Sequence, residues 1–559
     1  MPNAILFPHL VATGPAPSHR DVSAAHREYF LDLVEDGSIR PLIFHYHFSG
    51  CLLLIAYLLI PHTTRPWVYR ARWLVLAWNC WWGWKTLWET SSVSSAVNFI
   101  VGLTAAWNWV YSWTWLVFYR PQWDARRVKR RTVEAKAHRH HQTWAKASAA
   151  RTGHGRELDG KTGPEASLTA NARRRTRSQE RERDAPSRWN GTAAPTETIA
   201  DEYFWEPYPD NFRERLPWLC DLLINFRLPG WNIAIPQLPP PPPAASRHPP
   251  GIPRAPMPRG RSHTGLRRCE SREDVFWTYV PRFVLGYLVL DLIKTIAIHD
   301  PFFLFGPTTY ALPPFLARLS PILLYAYRQI MTMAAILTAL ETGLSLSPIV
   351  FCLLLGPPCL GEQAEPWYYS THWGSVSNIF SRGLNGFWSS WWHQLFRFVF
   401  SAPTYYLVRV GAVSAGSQAF RLLQLLFAFA ISGVLHAAGS VTTLPHTRPC
   451  DFLAFFLLQA LGIFLQTVAA SRLRPHVKSC PSILRRAGNF VFTVAWLLST
   501  SWLLVDEFAR GAVWLFEPVP ISLLRGLGFG VEGDGWWCWE YMGSGWYRGR
   551  WWDSGMALF

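Results

Sequence analysis

The chain has 559 residues, 49% of them hydrophobic, yet its mean hydropathy is only +0.04, so apolar and polar residues are segregated along the sequence. That pattern excludes an ordinary soluble globule built on short amphipathic helices. The net charge of +17 lies mostly between the third and fourth apolar blocks without interleaved stacking aromatics, which excludes a nucleic-acid-binding face; nine cysteines, scattered singly with no Cys-x-x-Cys pair, exclude a disulfide framework and a zinc site, and no metal is expected.

Residues 1–41 form a polar tail that carries His, Asp and Glu and no apolar stretch before Leu42, so an uncleaved signal anchor is expected in place of a cleaved signal peptide. Membrane-spanning helices are expected near Leu42 to Ile60, Trp73 to Trp88, Val97 to Tyr119, Phe276 to Ile298, Pro321 to Leu340, Leu344 to Leu360, Leu422 to His436, Phe452 to Ala470, Phe490 to Val505 and Phe508 to Leu527. This makes an all-α, polytopic integral membrane protein with about eight to ten spans, its 32 tryptophans concentrated near block ends where amphipathic rings favour the headgroup level. The first spans occupy 42–120 and the main membrane domain 276–527. Arg126, Arg127, Lys129, Arg130 and Arg131 follow a membrane exit and mark it as cytoplasmic; Arg65, Arg70 and Arg72 give the same sign.

Between the two sets of spans lies a basic insertion, 121–275, that ends in a proline run from Pro239 to Pro243. Its composition buries too little apolar surface to fold alone, so disorder is expected for most of it, with the prolines as a stiff spacer. Trp218 to Ile235 is an apolar island within it, expected to be ordered and amphipathic at the membrane surface. His138, His140 and His141 are read as solvated. The tail from 528 to 559, rich in Gly and Trp, is expected on the membrane interface.

Two stretches carry candidate chemistry. His436 lies in LLFAFAISGVLHAAGS, where it is the only ionisable side chain after Arg421. An ionisable group at membrane depth is costly and reads as functional, against the alternative of an interfacial histidine at a helix end. In GLNGFWSSWWHQLFR, Gly383 to Arg397, helical spacing would put His393 and Arg397 on one face beside Trp388 and Trp392; an interfacial aromatic helix is the alternative.

Gly383 to Arg397 resembles the Phe-Trp-x-x-x-Trp-His-Gln-x-x-Arg signature of the wax-synthase-like branch of the membrane-bound O-acyltransferases, and ISGVLHAAG resembles that family's second histidine block. INFRLPGWN resembles its Asn-x-Arg-Gly-x-Gly-Trp-Asn element, and YLVLDLIKTIAIHDP its Tyr-x-x-x-Asp segment. Four elements in order span Trp218 to Gly439; Leu228 and Pro229 depart from the family's Gly-Ile, and Ser389 and Ser390 from its Gly and basic residue.

The resemblance implies direct transfer of an acyl group from acyl-CoA, acetyl-CoA in the fungal relatives, to a hydroxyl on a hydrophobic acceptor, with no bound cofactor. His436 would be the general base, and His393 would orient the thioester or its oxyanion. Substrate contacts would come from Trp388, Trp392, Gln394, Arg397, Asn225, Arg227, Trp231, Asn232 and Asp291, with Arg397 and Arg227 facing the CoA phosphates. A wax ester synthase acting on long acyl chains is the alternative acyltransferase. Outside that class stand a proton-relaying transporter, though no inverted repeat is visible, and an inactive lipid-binding relative. The lipid bilayer is the expected partner and the endoplasmic reticulum the expected membrane; the sequence fixes no oligomeric state.

Overall fold

The computed structural model describes residues 15–134, 199–240, 260–444, 447–473, 475, 479–540 and 543–558. The expected disorder of the basic insertion and the cluster His138, His140 and His141 lie outside these residues, as does the proline run beyond Pro240.

The main helices are α1 (His19–Glu35), α2 (Ser49–Leu59), α3 (Arg72–Glu89), α4 (Ser95–Trp113), α5 (Phe212–Ile224), α6 (Arg272–Ala297), α7 (Pro321–Pro348), α8 (Ser377–Gly386), α9 (Arg397–Arg409), α10 (Gln418–Val441), α11 (Pro449–Arg472), α12 (Ser482–Thr500) and α13 (Trp502–Arg510). Their starts follow from local chemistry. Ser271, Ser320 and Ser417 cap α6, α7 and α10 by accepting from Asp274, Leu323 and Phe420 backbone N–H groups, and Pro321 supplies the first residue of α7 without wasting a donor.

Four helices among the described residues are long and apolar enough to cross a bilayer: Pro321–Leu355, Gln418–Val441, Pro449–Arg472 and Ser482–Arg510. They turn large apolar side chains outward, with Ile322 at 79%, Ile330 at 63% and Val491 at 63% exposure, an arrangement that only lipid covers well. This is an all-α integral membrane protein.

Four expected spans are redrawn. Leu42 to Ile60 is not one helix: Arg40–Ile43 is a strand (β1), and α2 begins only at Ser49. Pro321 to Leu340 and Leu344 to Leu360 are one helix, α7, which continues as a π-helical turn through Leu355. Phe508 to Leu527 is mostly irregular, a 3-10 turn at Val513–Leu515 and a wide turn at Arg525–Phe529 following the end of α13.

The remaining strands are β2 (Thr90–Ser91), β3 (Arg127–Glu134), β4 (Ile199–Glu206), β5 (Ser544–Tyr547) and β6 (Gly555–Leu558). β1 pairs in parallel with β2 and antiparallel with β6, which pairs antiparallel with β5, so the C-terminal tail is stitched to the segment before α2. The island Trp218 to Ile235 is no surface helix. α5 starts at Phe212, and Trp218 and Trp231 are fully enclosed in a core shared with α2 and α4.

Candidate active site

The histidine segment is not one helix. Gly383 turns α8 with φ 60°, ψ −137°, and a Cβ there would lie 2.0 Å from the Gln466 amide of α11. Only glycine fits such an approach with a positive φ. A π-helical turn, Phe387–Trp391, follows, and an extended Trp392 then leads into a loop that ends at α9. The loop is closed by its own side chains. Gln394 Nε2 donates to the carbonyls of Trp388 (3.0 Å) and Trp392 (2.6 Å), while Arg397 Nη1 donates to Gln394 Oε1 (2.8 Å) and the Ser389 carbonyl (3.2 Å). His393 therefore sits at the apex of a turn, and Arg397 serves the turn instead of sharing a helical face with it.

The His393 ring packs against Trp392 at 5.3 Å, Phe396 at 5.8 Å and, edge-on, Trp373 at 6.0 Å between centroids. Its Nδ1 is buried without a hydrogen-bond partner, although the residue keeps some accessible surface deep among protein atoms. Trp388 Nε1 is likewise buried and unpartnered. An unmet buried polar atom is expensive.

His436 reaches the same region from α10. Its Nδ1 lies 2.8 Å from the Ser432 carbonyl, which accepts the Nδ1–H and so leaves the lone pair on Nε2. Nε2 makes no hydrogen bond among the described residues. Phe456 packs, tilted, at 4.6 Å from the His436 ring and at 6.2 Å from the Trp388 ring, so one phenyl of α11 joins the helix histidine to the turn. The two imidazoles are close enough that a charge on His436 acts on His393, as do those of Arg227 and His372.

The structure thus brings His393, His436, Trp388, Trp392 and Arg227 together. Arg227 is tied down by the carbonyls of Thr371 (3.0 Å) and Ser370 (2.9 Å), which fixes it near the imidazoles and not towards solvent. Asn225 lies behind it, donating to Tyr368 Oη at 2.6 Å and accepting from Leu228 N–H at 3.1 Å. The other expected substrate contacts are engaged elsewhere. Asn232 bonds the backbone of Arg126 and Asp124, Trp231 packs at 4.9 Å on Trp218, and Asp291 holds Ser522 and the Leu524 N–H. Leu228, where the resembled element has glycine, adopts φ 57° and offsets that strain by complete burial in the α2–α4 core.

One part of the site was not read from sequence. Glu341, in the last third of α7, accepts from His372 Nδ1 (2.9 Å), Trp373 Nε1 (2.7 Å) and Arg282 Nη1 (3.0 Å). A lone acid inside an apolar helix was the available signal.

Residues 369–458, which contain both histidines, match the model of the membrane bound O-acyl transferase family. The chain is 26% identical over 310 residues to the O-Mevalon transferase yanI of Aspergillus niger, covering 51% of this chain and 60% of that protein. It is 33% identical over 139 residues to the acetyltransferase fsoF of Humicola fuscoatra, 23% and 32% of the respective chains. With the acetyltransferase ataH of Aspergillus terreus it shares 32% over 139 residues, 24% and 44%. The chain thus covers less than two thirds of the length of these curated relatives. No solved structure matches. The matched segment, similar to the membrane bound O-acyl transferase family, is the one that carries both imidazoles.

Proposed function

We propose that the protein transfers an acetyl group from acetyl-CoA to a hydroxyl of a hydrophobic, terpenoid-type acceptor in secondary metabolism, in the endoplasmic reticulum membrane. The observation that carries this reading is the 2.8 Å contact of His436 Nδ1 with the Ser432 carbonyl: a ring that donates Nδ1–H there keeps its lone pair on Nε2 as a base. Nε2 takes the proton of the acceptor hydroxyl as its oxygen attacks the thioester carbonyl. His393 Nδ1 and Trp388 Nε1, both buried and unpartnered, are available to the thioester oxygen as it gains charge. The aromatic walls of Trp392, Phe396, Phe452 and Phe456 suit an apolar acceptor and exclude water that would otherwise hydrolyse the thioester. The names of the three relatives, an O-Mevalon transferase and two acetyltransferases, favour a short acyl donor.

Microsomes containing the chain, supplied with labelled acetyl-CoA or palmitoyl-CoA and a panel of alcohols that includes farnesol, test it. Labelled ester from acetyl-CoA is expected, and His436→Ala should lower turnover by roughly 10²-fold or more at an unchanged protein level. Ester from palmitoyl-CoA alone would make the protein a wax-type synthase. Absence of product with either donor defeats the reading.

A further inference from the structure

His372 is 5% exposed, directly precedes Trp373, which leans on His393, and is held through Nδ1 by the Glu341 carboxylate at 2.9 Å. Glu341 is itself fixed by Arg282 at 3.0 Å and by the Trp373 indole at 2.7 Å, so the ring and the carboxylate are locked relative to each other. Other groups facing His372 are Tyr279 of α6, at 5.4 Å between centroids, and Arg227 from the loop after α5. Its Nε2 makes no hydrogen bond among the described residues; burial, together with Arg227 and Arg282, holds the ring below the usual imidazole range against the pull of Glu341, which makes its protonated form a readier proton donor. A carboxylate on Nδ1 fixes the ring orientation and stabilises the imidazolium, the arrangement of a proton donor or acceptor through Nε2. His436, whose Nδ1 has only a neutral carbonyl, is a lone base by comparison.

We propose that His372, oriented by Glu341, is a second catalytic residue of the acyl-transfer site and protonates the departing CoA thiolate. The inference rests on the acyl-transfer reading above. The acceptor oxygen forms its bond to the thioester carbonyl carbon and passes its proton to His436 Nε2. The C–S bond then breaks, its electron pair leaves on sulfur, and the Nε2–H proton of the His372 imidazolium completes the thiol. One turnover leaves His436 with an added proton and His372 with one fewer. Return of that proton from His436 to His372 restores both, and His393 lies in electrostatic range of each.

The test is the pH dependence of acetyl transfer in microsomes, with acetyl-CoA and the alcohol the wild type esterifies. The wild type should show an acid limb from the base and an alkaline limb from the acid. His372→Asn should lower kcat by roughly 10²-fold, leave KM for acetyl-CoA unchanged and abolish the alkaline limb. Glu341→Gln keeps the side-chain shape but removes the charge that stabilises the imidazolium, so its alkaline limb should move to lower pH. An unmoved limb in Glu341→Gln overturns the proposal even if His372→Asn fails to accumulate, and so does a slower His372→Asn that keeps the wild-type profile. Those results leave the acyl-transfer reading standing, whereas absence of product from the wild type removes both.

Discussion

At the scale of single residues, the division between chemistry and scaffolding runs through the signature itself. Arg397 lends its guanidinium to Gln394 and to the Ser389 carbonyl, and Gln394 spends both amide protons on backbone carbonyls of the turn. That engagement of Nη1 makes the guanidinium a support of the turn. Arg397→Ala should therefore leave KM for acyl-CoA within about twofold while lowering stability by roughly 1 to 3 kcal/mol, because the Gln394 carbonyl oxygen loses its charged donor inside the protein. A thermal-shift assay in detergent alongside steady-state kinetics checks this; a tenfold rise in KM with unchanged melting would return Arg397 to the CoA site. The two candidate imidazoles were legible because each stands out against apolar sequence and because both fall in motif-like strings. His372 was not, since its meaning comes from a carboxylate 31 residues earlier in the chain.

Among elements, the decisive contact is that of α4 with α10, which sets where His436 points. Gly102 of α4 lies so close that a Cβ would fall 1.9 Å from the Ala438 carbonyl oxygen, two residues beyond His436, and Gly439 of α10 meets the Phe99 ring in return. Small residues allow membrane helices this approach. Gly102→Ala must push α10 outward, and with it the His436 imidazole that Phe99 and Phe456 flank. Loss of most activity, with protein still inserted and accumulating, is the expected result in a microsomal assay; an unimpaired variant would mean that α10 is not positioned by α4. The same scale explains what sequence reading missed. α7 was divided near Glu341 because an acid interrupts an apolar block, yet the helix runs on, for Arg282, His372 and Trp373 satisfy that acid from the side. The segment from Leu42 looked like one span because most of its residues are apolar. Its first residues instead pair with Ala557 and Leu558, a partner some 500 residues away that no local pattern announces.

Across the whole molecule, the two chain ends close on each other around the second half of α6. Tyr287 Oη donates to the Ile521 carbonyl at 2.6 Å, Asp291 receives Ser522 and the Leu524 N–H, and Lys294 lies 3.5 Å from Glu517, which also pairs with Arg525 at 2.6 Å. α1 comes in from the other side, with His19 Nε2 at 2.9 Å from Asp534 and Arg20 bonded to the Gly533 carbonyl at 2.7 Å and to Glu540 at 3.0 Å. Burial works against the Glu517 and Asp534 charges. For Glu517 the neighbouring Lys294, Arg525 and His19 more than compensate, and for Asp534 the His19 hydrogen bond and charge do so, which holds both carboxyls below their usual values. A carboxyl depressed in the folded state stabilises it fully above the ordinary carboxylate range and loses that contribution as pH falls through the depressed value. The closure should thus be intact at neutral pH and open only below about pH 4. His19→Gln takes away the cation facing Asp534, raises that carboxyl towards its ordinary value and so should move the opening to higher pH. Limited proteolysis of the Trp-rich tail in detergent, sampled from pH 7 down to pH 3, reads this directly. Cleavage setting in at the same pH in the variant and the wild type would mean that packing of β6 on β1, and not the ion pairs, holds the ends together.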